Sequence, residues 1–135
     1  MLEHAKIVSI GKIADDRGEL SVIQNGGNVI PFDIKRIYYM YNIAENADRG
    51  HHAMKTQQKF LIAMNGSLDL VLKDGTNEKV FHLDSPDKGV LIEGGIWREM
   101  KNFTKGAVCL VLASDIFIEE DHIRNYEDFL KFKNL

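Results

Sequence analysis

A single cysteine, Cys109, rules out a disulfide within the chain, and its place in the apolar run 107–113 reads as a small buried hydrophobe. Prolines number only two in 135 residues, and no Pro/Gly/Ser-rich or low-complexity tract offers a linker, so the chain reads as one domain, 1–135, with a single core. No apolar run approaches the ~20 residues of a membrane-spanning helix. The start, Met1-Leu2-Glu3-His4-Ala5-Lys6, also lacks the long apolar segment of a signal peptide, which predicts a cytoplasmic protein with no membrane contact. Positive charge is not in surplus: 17 Lys and Arg stand against 20 Asp and Glu, a net −3 with the signs interspersed, which argues against a nucleic-acid partner.

What the chain does have is short β-type runs separated by turn signals. Strands are expected at 7–10, 20–23, 35–41, 60–64, 67–72, 79–83, 89–92, 96–100 and 107–113, with turns at Asp15-Asp16-Arg17-Gly18, Asn65-Gly66 and Asp74-Gly75. The segment 35–41 is rich in β-branched and aromatic residues and reads as a central strand, with Arg36, Tyr38 and Met40 on one face and Ile37, Tyr39 and Tyr41 on the other. Asn65-Gly66 predicts a tight hairpin joining the strands on either side. The run 107–113 is apolar enough to be covered on both faces. Only 121–135 has helical spacing, with Ile123, Tyr126, Phe129, Leu130 and Phe132 on one stripe. The expectation is an all-β chain, a small jelly roll with a C-terminal helix.

Two stretches carry the chemistry. In the first, Arg49-Gly50-His51-His52-Ala53-Met54, strand alternation turns His52 and Met54 to one face and His51 and Ala53 to the other; allowing for a bulge, a glutamine near Gln58 joins the inner set. The stretch resembles the first motif of the cupins, and 93–102 resembles the second, with Gly95 and Asn102 in place. The four positions that hold a metal in cupins fall here on His52, Met54, Gln58 and Arg98. A thioether and a permanent cation are poor ligands for a first-row divalent metal, so the pocket is read as metal-free and suited to an anionic or carbonyl-bearing ligand.

Several blocks in order, Pro31-Phe32-Asp33-Ile34-Lys35-Arg36-Ile37-Tyr38-Tyr39, Arg49-Gly50-His51-His52-Ala53, Asn65-Gly66-Ser67, Trp97-Arg98-Glu99-Met100, Ala113-Ser114-Asp115 and Asp121-His122-Ile123-Arg124-Asn125-Tyr126, resemble the sugar 3,4-ketoisomerases, the WxcM-like cupins. The resemblance implies an isomerase that moves the ketone of dTDP-4-keto-6-deoxyglucose from C4 to C3 through an enediol, for the 3-amino-deoxysugars of glycans such as lipopolysaccharide O-antigens or S-layers. It implies no cofactor, and a homodimer with exchanged strands. The family motif Arg-Gly-x-His-x-His places its first histidine on His52 and its second on Met54. By this mapping His52 is the base, Arg98 stabilises the enediolate, and His51 is a substitute second group reached through a bulge.

For the nucleotide, guanidinium groups suit a diphosphate, which nominates Arg49 and Arg36. Lys55 and Gln58 match family positions that reach phosphate or sugar, and Tyr38 or Tyr39 would stack on thymine. Trp97 belongs to a family block, with core packing as its plainer reading, while Glu93 and Glu99 read as solvated. Two other classes stay open: a non-catalytic dTDP-sugar-binding cupin, and a metal-dependent cupin enzyme.

Overall fold

A computed structural model describes residues 2–135; Met1 lies outside the described residues. The strands are β1 (Ile7–Ser9), β2 (Ile13–Asp15), β3 (Gly18–Leu20), β4 (Arg36–Met40), β5 (Arg49–Met54), β6 (Lys59–Asn65), β7 (Leu68–Lys73), β8 (Glu78–Leu83), β9 (Lys88–Ile92), β10 (Trp97–Lys101), β11 (Val108–Ala113) and β12 (His122–Ile123), followed by a helix, α1 (Tyr126–Phe132). They form two five-stranded antiparallel sheets, ordered β1-β9-β6-β11-β4 and β12-β5-β10-β7-β8, with β2 and β3 as a separate hairpin.

Alternation builds the interior between the sheets. Leu61 and Ala63 on β6, Leu70 and Leu72 on β7, Val90 and Ile92 on β9, and Cys109 and Val111 on β11 share one core cluster. The intervening residues of β6 and β11, Phe60, Ile62 and Leu112, pack into a second cluster under the segment that carries Ile23, Ile30, Phe32 and Ile34. Both strands are therefore covered on both faces, which is why their sequences run apolar without a break. Cys109 is fully buried, and burial pushes its thiol up to about 12.

Four expectations need correction. Asn65-Gly66 does turn, with Gly66 at φ 65°, but β6 and β7 lie in different sheets and do not pair. The corner is held instead by Asn65 donating to the Gly106 carbonyl and by the Ser67 amide donating to Thr104 Oγ1, so a turn signal marked a sheet-to-sheet crossing. The segment 35–41 is an edge strand, not a central one: β4 ends its sheet, and Ile37, Tyr39 and Tyr41 are 57, 59 and 60 % exposed. The helix is shorter than its apolar stripe. Asn125 caps it by accepting from the Asp128 amide, while His122 and Ile123 extend β5 as an edge strand and Asp121 ends a 3-10 turn.

α1 sits on the outer face of the second sheet, where Phe129 and Ile123 pack on Ala53 and Trp97. The strand expected at 20–23 is displaced: Leu20 closes the β2–β3 hairpin, whose residues are all exposed.

Candidate active site

The inner face of the second sheet is apolar over most of its length and cationic at one end. On β10, Arg98 faces inward between Leu72 of β7 and His52 of β5. His52 reaches that face because β5 carries a bulge: Gly50 pairs with Glu99 and His52 with Arg98, so His51 is the extra residue. Gly50 and His51 take φ of 86° and 53°, and a Cβ on Gly50 would lie 3.1 Å from the Arg98 carbonyl oxygen, which accounts for the glycine. The bulge sends His51 to the other face, near Asp48 and Glu99, away from His52.

A cavity of about 390 Å³ opens here, lined by Arg36, Tyr38, His52, Lys59, Phe117, His122 and Arg124. In His52, Nδ1 donates to the Gly50 carbonyl at 3.1 Å, which fixes the proton on Nδ1 and leaves the lone pair on Nε2; that atom is buried with no partner among the described residues. Burial, then the Arg98 guanidinium, lowers its pKa to about 3. Arg98 is 1 % exposed and donates once, to the Ile96 carbonyl, with Nε and one terminal nitrogen unpartnered; burial pushes it down to about 10, still a cation at neutral pH. The Arg36 guanidinium lies over the rings of Tyr38 and Phe117, at 5.1 and 5.4 Å, and also leaves two nitrogens without partners.

Lys59 donates from Nζ to the Tyr38 hydroxyl at 2.9 Å. His122 donates from Nδ1 to the Ile118 carbonyl and lies 5.7 Å from the His52 ring; burial holds it below its ordinary value. Of the four cations near this cavity, only Arg124 is paired with a carboxylate among the described residues, through Glu119. Buried donors without acceptors cost free energy unless an acceptor arrives, so the cavity calls for an anion rich in oxygens.

Asp121 ties the two edges of the site together. It accepts from the Thr56 amide at 3.1 Å, the Thr56 hydroxyl at 2.8 Å and the Gln57 amide at 3.0 Å, anchoring the turn between His52 and Lys59 to the segment that carries His122. Asp121→Ala would leave two amides unsatisfied and is expected to cost about 2–4 kcal/mol, read as a lower denaturant midpoint at unchanged m value.

The nominated residues divide. His52, Arg98, Arg36 and Tyr38 converge, with the Tyr38 ring occupied by cations and its hydroxyl taken by Lys59. Met54 faces the same interior, fully buried. Arg49 stands at the rim, in an adjoining groove that shares Tyr38 and His52 with the cavity. The side chain of Lys55 is exposed and lies outside it. Gln58 is replaced by its neighbour: the inward phase of β6 runs 59, 61, 63, so Lys59 enters the cavity, while the backbone N–H of Gln58 donates to Ser114 Oγ. Trp97 is core, edge-on to Tyr126 at 5.1 Å and donating to Glu99. Glu99 is not solvated; Trp97, Lys73 and Lys101 surround it and hold its carboxyl below the usual range against the cost of burial.

Sequence reasoning missed Lys59, Phe117, His122 and Arg124 as cavity residues. Counting strand phase back from Leu61 would have found Lys59; the other three lie on the irregular segment before α1 and its short edge strand, where no period exists to count.

Two antiparallel sheets enclosing a pocket of histidine and arginine, with a short helix outside, define a small cupin-type jelly roll with a cationic interior. The model of the WxcM-like, C-terminal family (FdtA) matches residues 3–134, and the chain belongs to that family. It is 40% identical over 127 residues to the TDP-4-oxo-6-deoxy-alpha-D-glucose-3,4-oxoisomerase of Aneurinibacillus thermoaerophilus, covering 94% of this chain and 91% of that one. A 3,4-ketoisomerase from Helicobacter canadensis superposes with a TM-score of 0.93 at 44% identity, over 98% of each chain. A variant of the 3,4-ketoisomerase QdtA from Thermoanaerobacterium thermosaccharolyticum, solved with TDP-4-keto-6-deoxyglucose, superposes with a TM-score of 0.92 at 40% identity, over 97% of this chain and 94% of that one.

Proposed function

We propose that this chain is a sugar 3,4-ketoisomerase that moves the ketone of dTDP-4-keto-6-deoxyglucose from C4 to C3. The observation that carries the reading is the pairing, in one cavity, of a histidine whose Nε2 is freed as an acceptor with the unpaired guanidinium group of Arg36, backed by the buried, unpaired guanidinium of Arg98 on the strand beside His52. His52 Nε2 removes the proton on C3, and the arginines hold the diphosphate and the negative charge that develops on the sugar oxygens. An anionic ligand beside Arg98 also offsets the field that depresses His52, so substrate binding restores basicity to the imidazole that receives the proton. The carbonyl is polarised by these cations; of the residues at the metal positions of other cupins, Arg98 suits hydrogen bonding to an anion, and Met54 offers only a thioether, a poor ligand for a first-row divalent metal.

A homodimer with exchanged strands goes with this activity. It is supported by the exposed apolar stripe of Ile37, Tyr39 and Tyr41 on the free edge of β4, and by the β2–β3 hairpin, on which Ile13 and Leu20 are 69 and 55 % exposed. The product would feed a 3-amino-deoxysugar route.

The test is incubation with dTDP-4-keto-6-deoxyglucose in deuterated water, followed by NMR, on protein whose mass is checked by sedimentation. A 3-keto product labelled at C4, made by a particle of twice the 15.4 kDa chain mass, is expected. Binding of dTDP without exchange at C3 or C4 would replace this reading with that of a binding protein, and a monomeric active enzyme would remove the dimer.

A further inference from the structure

Moving a ketone between neighbouring carbons relocates two protons, one from C3 to C4 and one from the C3 hydroxyl to the C4 oxygen. His52 accounts for the first. Where the resembled motif has a second imidazole, this chain has the thioether of Met54, which carries no proton. We propose that Lys59 is the second proton-transfer group of this chain, serving the two sugar oxygens; the assignment rests on the ketoisomerase reading.

The geometry favours Lys59 over the other groups nearby. It sits at the inward phase of β6, 1 % exposed, lines the same cavity as His52, and is hydrogen-bonded to the Tyr38 hydroxyl. Among the described residues it forms no ion pair, so nothing fixes it as an ammonium. Burial lowers its pKa to about 7, followed by the fields of Arg98 on β10 and Arg36 on β4; Asp121 opposes the shift and Arg124 adds to it. The two imidazoles that face it, His52 and His122, both lie below their ordinary range. A shuttle must both release and accept a proton at working pH, and Lys59 does so where Arg36 and Arg98 remain charged. His51, the extra residue of the bulge, lines the adjoining groove with Arg49 and not the cavity that holds Lys59.

The steps balance. As His52 Nε2 takes the proton from C3, the C–H pair forms the C3–C4 double bond, the C4 carbonyl pair moves to its oxygen, and that oxygen takes a proton from the Lys59 ammonium. In the second half the Lys59 amine takes the proton of the C3 hydroxyl, its O–H pair forms the new carbonyl, and the double-bond pair takes a proton at C4 from the His52 imidazolium, whose N–H has by then exchanged with solvent. Both side chains end as they began, and no oxidant or reductant is consumed.

The test compares the wild-type protein with Lys59→Arg and Lys59→Gln, reading C3 proton exchange and 3-keto product formation separately. Both variants are expected to lose product formation by about 100-fold or more and to lose C3 exchange with it, because the C4 oxygen takes its proton from Lys59 as His52 takes that of C3. Arginine keeps the charge but releases no proton, so product formation at wild-type rate in Lys59→Arg would overturn the shuttle and leave a charge role. In the wild-type protein, labelled with ¹³C at lysine Cε, the Lys59 signal is expected to titrate near neutrality; a midpoint near the ordinary lysine value of about 10.4 would overturn the proposal whatever the variants do. A wild-type protein that neither exchanges C3 nor forms product brings down the ketoisomerase reading, and Lys59 with it. That result differs from an active wild type with indifferent variants, which brings down Lys59 alone.

Discussion

His52→Asn is expected to lower isomerisation by about 10²- to 10⁴-fold while leaving dTDP affinity within a few-fold of wild type, because the amide replaces the imidazole in size but cannot take the C3 proton. Turnover and nucleotide affinity, measured separately, check both halves; undiminished turnover would remove His52 as the base. The pH dependence has a definite sign. The folded-state value of His52 is lowered to about 3, so the unfolded chain binds a proton near 6.5 that the folded chain refuses until the pH is far lower. This residue's contribution to stability is therefore full above about pH 6.5 and is lost as the pH falls from there toward 3. His52→Asn has no such group, so the difference in unfolding free energy between wild type and variant should move in the variant's favour between pH 7 and pH 4.5. In kinetics, offsetting of the Arg98 charge by bound diphosphate should place the acidic limb of kcat at higher pH than that of kcat/KM.

Arg98→Met is expected to raise stability and remove activity together. The guanidinium is fully buried, donates once to a backbone carbonyl, and has two nitrogens without partners; its pKa is lowered by burial, so the fold disfavours the charge it contains. Methionine has similar length and packs against Leu72 and Met100 without that cost. Replacing a buried charge in this way stabilises by about 1–4 kcal/mol, to be read from denaturant midpoints. Loss of a donor aimed at the enediolate and diphosphate should reduce turnover by about 10²- to 10³-fold. A variant that is both less stable and still active would mean that Arg98 holds the fold rather than the ligand. The expected trade, stability gained as activity is lost, is the usual mark of a site held against its own folding preference.

The sequence was most informative where side-chain alternation faces a buried wall. It placed Arg36, Tyr38 and Met40 together, turned His52 and Met54 inward and His51 outward, and marked 107–113 as covered on both faces, because a period of two leaves a strand no other way to hide its apolar residues. It was silent where register is set from a distance. Asn65-Gly66 specified a turn but not which strands would pair across it, and the richness of 35–41 in aromatic residues did not distinguish an edge from a centre. At 121–125 the helical stripe was real, but Ile123 gains more by completing the sheet beside Ala53 than by adding a turn to α1.

From its residues alone the chain determined its class of fold, its inward histidine and the methionine that shares its face, and its inward arginine. These depend on local period and on chemical identity, which sequence states directly. Only the tertiary structure decided that Arg49 stays at the rim, and that His122 and Phe117 come to face His52 from 65 or more residues away. Those placements follow from how two sheets pack and where a bulge falls, and no short stretch of chain carries that information.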